Sequence, residues 1–506
     1  MEIERVETSN YITIMNKKII KTEFFFYIAF LFACIFVLLQ SPLAPYAKSS
    51  NGVDSSVFIY AARQILKGQM MYKDIVDHKG PFLYLINVVA LFIFNGKFVG
   101  VWIFEIISLF ASSIMMYKTA RFFGEKIPSF LAVVSAILFL VPLLIGGNIT
   151  EEWALPFISI ASYIFVAYLK ENKPLTIIRL AVLSFTFVLT FMIRANMIAV
   201  WAGFGAVLLI KWIYEKKYKE LIRNLLFLLL FVFLFVIPFF LYFFFKGALS
   251  DAIYLVFKFN MIEYNPRSLA FILKACPKIL GGVYQMTAIP FIIVIYMFFR
   301  DKTIINGSVI SAFVFTALVC GLGGRFPHYY MIFAPLIVIP YSYVLNIIKE
   351  SIPEAKYVLV FILFVFFNLS PINDQSYFYI PDNYSEQGYG IETVPPPTME
   401  KLKNVIIQNT LPADKILVRG YQSSVYLHSD RSCATRFPYT LNKSSLAIKY
   451  YVKDAEEALP KLIIQGKVIN PLMDPDFMLD SLLNKKYRLL PADIEDVEVW
   501  KLKDDL

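Results

Sequence analysis

Apolar runs of roughly membrane-spanning length recur along the first 370 residues, separated by short clusters of Lys and Arg. In hydrocarbon every backbone N–H and C=O must be satisfied within the protein, so runs of this length read as a bundle of transmembrane helices. The composition agrees: 58% of residues are hydrophobic and only 17% charged, where an ordinary soluble domain has about 25% charged. The 49 Phe and 31 Tyr suit lipid-facing surfaces and interfacial belts. A net charge of +10 does not point to nucleic acid, because the bases sit in short clusters between apolar runs, as cytoplasmic anchors do. Residues 371–506 carry 16 Lys+Arg and 19 Asp+Glu, a net −3, which leaves the membrane part at +13. Of the four cysteines, Cys34 and Cys320 fall in apolar runs, and Cys276 and Cys433 suggest neither a disulfide framework nor a CxxC metal site.

Residues 1–22 are polar and end in Lys17, Lys18 and Lys21, directly before the first apolar run at 24–40. No small-residue cleavage site follows, so this run reads as a retained helix with its N-terminus in the cytoplasm. Residues 41–97 then form a first extracytoplasmic loop. Within it, 81–94 is apolar but only about 14 residues long, short of the ~20 a spanning helix needs. A helix lying in the outer interface keeps Lys118, Arg121 and Lys126 cytoplasmic, and that is the expectation. Further spans fall near 98–117, 128–146, 153–169, 175–193, 196–213, 223–245, 284–299, 304–321, 328–347 and 356–371, about eleven with the first. Every cytoplasmic connection then contains bases, and 246–282 is an outer connection. Residues 23–371 form the transmembrane domain. Residues 372–506 have ordinary charge density, a Pro-rich start at Pro395–Pro397 and strand-like runs at KILVRG, KLIIQ and KYRLL, so an extracytoplasmic α/β domain is expected.

This topology collects acids and bases on the outer face from across the chain. Asp54 follows the first span by about a dozen residues; a carboxylate there can take a proton from a hydroxyl or cap the helix-like stretch that ends at Gly68. Glu151 and Glu152, in GGNITEEW, flank the same space or are plain loop acids. In GGRFPHYY, Arg325, His328 and Tyr329 lie at a membrane boundary, suited to a phosphate or to an aromatic belt with a snorkelling base. Arg194 is a lone guanidinium between apolar runs, which is costly without an anionic partner. Arg63, His78 and Lys79 complete the set at the rim of the first loop. Acids and bases gathered on one face suit a reaction on a lipid-borne anionic substrate.

The first-loop block carries a resemblance. Asp54, then Tyr60 and Arg63 ahead of Gly68, then Met71-Tyr72-Lys73-Asp74 and Asp77-His78-Lys79-Gly80-Pro81-Phe82-Leu83-Tyr84, is similar to the GT-C superfamily of membrane glycosyltransferases. The branch it looks most like is that of bacterial relatives of protein O-mannosyltransferases and lipid A aminoarabinose transferases. GGNITEEW and GGRFPHYY fit the same branch, so the resemblance covers about residues 20–345. It implies inverting transfer of a sugar from a polyprenyl-phosphate carrier to a hydroxyl at the outer face of the cell membrane. Asp54 matches the general base, one of Glu151 and Glu152 a second acidic site, and Lys79 a basic position near the donor phosphate. Arg325 and His328 would stabilise the departing polyprenyl phosphate. Many members carry an acidic pair in the first loop, and here Asp54 is followed by Ser55; no metal ligands are assigned and no cofactor is expected, with a divalent metal left open. The acceptor is a surface glycopolymer, a lipid-linked glycan or a protein hydroxyl. A polysaccharide polymerase or ligase, or a glycan flippase, is the alternative, although the charged block lies early in the chain and no inverted repeat is visible.

Overall fold

In the computed structural model the described residues are 23–39, 41–45, 53–144, 147–171, 173–264, 268–280, 285–322, 326–352, 356, 396–420, 423–439, 445–466, 479–492, 494 and 497–503. The expected span at 356–371 and the residue Arg325 fall outside them. The membrane part contains α1 (Glu23–Leu38), α2 (Val53–Leu66), α3 (Pro81–Ile93), α4 (Val99–Ala120), α5 (Lys126–Leu140), α6 (Thr150–Glu171) and α7 (Ile177–Ile193). It continues with α8 (Ala199–Tyr214), α9 (Tyr218–Phe245), α10 (Leu249–Ile253), α11 (Leu269–Leu280), α12 (Gln285–Asp301), α13 (Ile304–Leu322) and α14 (Ala334–Ser351). Among the described residues six helices, four of them α4, α6, α9 and α13, are long and apolar enough to cross a bilayer; α1, α3, α7 and α8 are apolar but shorter. This is a multi-pass membrane fold.

Burial separates core helices from lipid-facing ones. In α6, 72% of the apolar window is buried inside the protein, whereas none of the corresponding α9 window is. A helix this apolar and this uncovered faces lipid. α6 packs on α4 and α7, α5 on α14, and α13 between α8 and α11. Small residues permit the close crossings: a Cβ on Gly203 of α8 would stand 2.5 Å from the Ala312 backbone of α13. Far from the site described below, one end of the bundle is tied by Lys126–Glu23 at 4.0 Å, Lys349–Glu125, and Arg179–Glu171 at 3.1 Å. Lys126 and Lys349 belong to clusters expected on the cytoplasmic side, and Arg179 lies near the start of the span expected at 175–193.

The stretch read as an outer connection, 246–282, is largely helical. α10 runs into a π-helix, Tyr254–Tyr264, and α11 lays Ala275, Cys276 and Ile279 against the bundle.

The C-terminal region is a small α/β unit. Helices α15 (Pro396–Asn409), α16 (Ser424–Ser429), α17 (Ser445–Ala458) and α18 (Leu479–Lys486) surround a five-stranded sheet of order β2-β1-β3-β5-β4. Its strands are β1 (Lys415–Val418), β2 (Ser432–Cys433), β3 (Leu462–Gly466), β4 (Tyr487–Leu489) and β5 (Val497–Leu502). KILVRG, KLIIQ and KYRLL thus each supply a strand. β2, β1 and β3 are parallel, with Ile416 opposite Cys433 on one side and Leu462 on the other; β5 and β4 are antiparallel. The central β3 is buried at every position, as a strand covered on both faces should be.

This unit docks on the first loop. Arg63 Nη1 donates to the Leu427 carbonyl at 3.1 Å, the Cys433 N–H donates to Tyr60 Oη at 2.8 Å, and the Val76 N–H donates to the Arg436 carbonyl at 2.8 Å.

Candidate active site

α6 begins where the chain turns around a buried carboxylate. Gly147 has φ +70°, and a Cβ there would lie 2.5 Å from Glu105 Oε1, so a side chain is doubly excluded. The turn brings the Asn148 N–H onto that oxygen. The Asn148 side chain then ties three elements together. It donates to Ser55 Oγ at 3.1 Å and to Asn87 Oδ1 at 3.0 Å, and it accepts from Trp153 Nε1 at 2.9 Å. Ser55 is the neighbour of Asp54, so the start of α2, which holds Asp54 half-buried in its first turn, is fixed relative to the start of α6.

Glu151 and Glu152 occupy the first turn of α6, where the helix dipole favours a carboxylate, and both are buried. They face different partners. Glu151 accepts from Arg194 Nη1 at 2.8 Å and from Thr150 Oγ1 at 2.7 Å. Glu152 turns inward to Glu105 on α4.

Arg194 follows α7 in extended conformation, its guanidinium 4.4 Å above the Tyr329 ring and donating to the Tyr329 hydroxyl. The lone guanidinium thus has the anionic partner that its setting demanded.

The break after α7 also receives the first loop. The Gly80 N–H donates to the Ile193 carbonyl at 2.9 Å, and a Cβ on Gly80 would stand 2.0 Å from the Met192 carbonyl oxygen. Only glycine permits this approach, which carries Lys79 next to Arg194. Gly80→Ala should therefore cost about 1–3 kcal/mol through overpacking and lower the melting temperature in detergent; unchanged melting would show that the loop can draw back freely.

Lys79 Nζ lies 2.8 Å from His78 Nε2, and the Tyr72 hydroxyl donates to the Lys79 carbonyl at 2.7 Å. Burial, then the Lys79 and Arg194 charges, push the His78 imidazole well below its ordinary range, so it is neutral at pH 7. From the π-helix, Asn260 Nδ2 donates to the His78 carbonyl at 2.8 Å and to the Val256 carbonyl at 2.9 Å.

The structure thus brings Asp54, His78, Lys79, Glu151, Arg194, His328 and Tyr329 into one neighbourhood, at the end of the bundle that the α/β unit covers. The charges of Glu151, Asp54, Arg194 and Lys79 all act on the His328 ring. Beside them, an apolar cavity of about 420 Å³ opens between α3 and α9, lined by Met71, Pro81, Tyr84, Val88, Phe239 and Phe243. Pro81 stands two residues from Lys79.

Arg63 is placed elsewhere: it is committed to the docked α/β unit and stacks at 4.8 Å on the Phe98 ring. Glu105, Asp77, Asn148 and Asn260 were not singled out from the sequence. A signal existed for Glu105 alone, an ionisable residue within an apolar run. Among the described residues no group of three or more His, Cys, Asp or Glu is arranged to hold a metal.

No family model matches the chain, and no curated protein matches it in sequence. Solved structures do match. ArnT from Cupriavidus metallidurans bound to undecaprenyl phosphate superposes with a TM-score of 0.60 at 12% identity, covering 94% of this chain and 97% of that one. The apo state of the same protein gives 0.56 at 13% identity, with 96% and 98% covered. The oligosaccharyltransferase AglB from Archaeoglobus fulgidus, in complex with an inhibitory peptide and a dolichol-phosphate, gives 0.54 at 11% identity, with 88% and 70% covered. The chain shares the fold of these solved structures, as the first-loop resemblance had implied.

Proposed function

We propose that this protein is an inverting glycosyltransferase that moves a sugar from a polyprenyl-phosphate carrier to a hydroxyl of a cell-surface glycopolymer. The observation that carries the proposal is the juxtaposition of a half-buried carboxylate, Asp54, with the cations Lys79 and Arg194, beside an apolar cavity. A polyprenyl-phosphate sugar needs those three features together: a dry slot for the isoprenoid, positive charge for the phosphate, and a base for the incoming hydroxyl. Two of the solved neighbours hold undecaprenyl phosphate or dolichol-phosphate.

In the proposed reaction Asp54 takes the proton of the acceptor hydroxyl as its oxygen attacks the anomeric carbon. The bond from that carbon to the phosphate oxygen breaks, its electron pair stays on the phosphate, and the configuration inverts. Polyprenyl phosphate leaves as a dianion, stabilised by Lys79 and Arg194, with His328 and Tyr329 completing the wall. Glu151 keeps Arg194 aimed, and Glu152 stands beside Glu105, which holds the turn through the Asn148 N–H. Arg325, outside the described residues, is proposed to add to the same positive wall. The chemistry belongs to the outer face of the membrane, with the N-terminus cytoplasmic and the α/β unit outside, closing over the acceptor.

The test uses purified protein, a radiolabelled polyprenyl-phosphate sugar and a membrane extract. Wild type should transfer label to an extract component. Lys79→Met should weaken donor binding about ten-fold or more, the loss of one charge-assisted contact of roughly 1.5–3 kcal/mol. Donor bound by wild type with no label moved to any component would replace the transferase with a glycan flippase.

A further inference from the structure

One buried acid stands behind the Lys79 cation and is reached by the α/β unit. Asp77 is 1% exposed and accepts three hydrogen bonds: from the Tyr84 hydroxyl on α3 at 2.5 Å, from the Tyr439 hydroxyl at 2.6 Å, and from the His78 N–H at 2.6 Å. Its Oδ1 also lies 3.6 Å from His78 Nδ1. Tyr439 follows β2 in the α/β unit, 362 residues along the chain from Asp77.

The imidazole between Asp77 and Lys79 has a chemically determined orientation. An ammonium has three donors and no acceptor, so the ring nitrogen facing Lys79 Nζ must accept. His78 Nε2 therefore carries no proton, and in the neutral ring the proton resides on Nδ1, on the side of the Asp77 carboxylate. That negative charge favours this tautomer over the other. The opposite tautomer would set an N–H against the ammonium, and Lys79 Nζ would lose its acceptor at 2.8 Å.

We propose that Asp77 is a positioning residue that couples the seating of the α/β unit to the Lys79 cation, through Tyr439 on one side and the His78 tautomer on the other. The coupling rests on the phosphate-binding role of Lys79 proposed above. With Tyr439 seated, Asp77 is held toward His78 and the ammonium is fixed for the donor phosphate; with the unit displaced, the carboxylate loses one of its three donors and keeps those from Tyr84 and the His78 backbone, so its hold on the ring loosens. Burial first, then Lys79 and Arg194, disfavour a proton on the ring; the Asp77 carboxylate stands 3.6 Å from Nδ1, and Phe259 contributes an apolar face with its centroid 5.7 Å away.

The experiment measures binding of undecaprenyl phosphate and of undecaprenol, the same chain without the phosphate, to the full-length protein in detergent. Wild type should prefer the phosphate lipid. Equal binding of the two lipids by wild type would overturn the phosphate site itself, and with it the coupling that depends on it. Asp77→Asn should cut the preference about ten-fold while leaving undecaprenol binding unchanged; Tyr439→Phe should cut it several-fold, on a more conservative change. If Asp77→Asn fails to fold, Tyr439→Phe decides alone. A folded Tyr439→Phe protein with the wild-type preference overturns the coupling while leaving the phosphate site standing, and so does an equal loss of both lipids, which would mark a general packing defect.

Discussion

Asp54→Asn is expected to abolish sugar transfer, with a loss on the order of 10²-fold or more, while leaving the donor bound and the protein folded. The substitution separates the two roles a carboxylate can play in the first turn of α2. As a helix start, Asn serves about as well as Asp, and a partly exposed position away from the core contributes within about 0.5 kcal/mol of stability. As a base, the amide cannot take a proton. The readouts are labelled-sugar transfer, donor retention and the melting curve, measured on one preparation. Full turnover in the variant would reduce Asp54 to a structural residue and move the base to another side chain near His328, with Glu151 the nearest carboxylate in kind. Loss of donor binding together with transfer would instead mean that the start of α2 had shifted.

What was legible in the sequence follows from how far each signal reaches. Hydropathy is local, so the helices and the three strand runs could be read where they lie. The segment 246–282 could not: Lys258, Glu263 and Lys274 interrupt its apolar residues, and a π-turn has no periodicity that a 3.6-residue pattern would reveal. Arg63 looked like a rim base, because its partner, the Leu427 carbonyl, is 364 residues away and a backbone oxygen has no side-chain signature. Glu105 disappears in the average over its apolar window, although a buried acid there is expensive and therefore informative. Asp77 lay within the block that carried the resemblance, but its worth depends on Tyr439, and only the docked α/β unit brings that hydroxyl to it. Arg194 was the better case. The cost of an unpaired guanidinium between apolar segments demanded a partner, and the partner is one of the two acids already in view.

That ion pair leads to the second large effect. Arg194→Gln should abolish the proposed transfer and also destabilise the protein by about 3–5 kcal/mol, because it strands the buried Glu151 carboxylate. Glu151 is 1% exposed and Arg194 16% exposed, so water cannot take over the lost interaction cheaply. The two consequences have different origins, and a double variant separates them. In Glu151→Gln combined with Arg194→Gln, no buried charge is left unpaired, so most of the stability should return, visible as recovery of the melting temperature in detergent. Transfer should not return, because the departing phosphate still lacks the guanidinium on its wall. Recovery of both stability and transfer in the double variant would make Arg194 a structural counter-ion for Glu151 and nothing more. Lys79 would then face the phosphate without it, and the Asp77–His78 pair that holds Lys79 would become the main determinant of donor affinity.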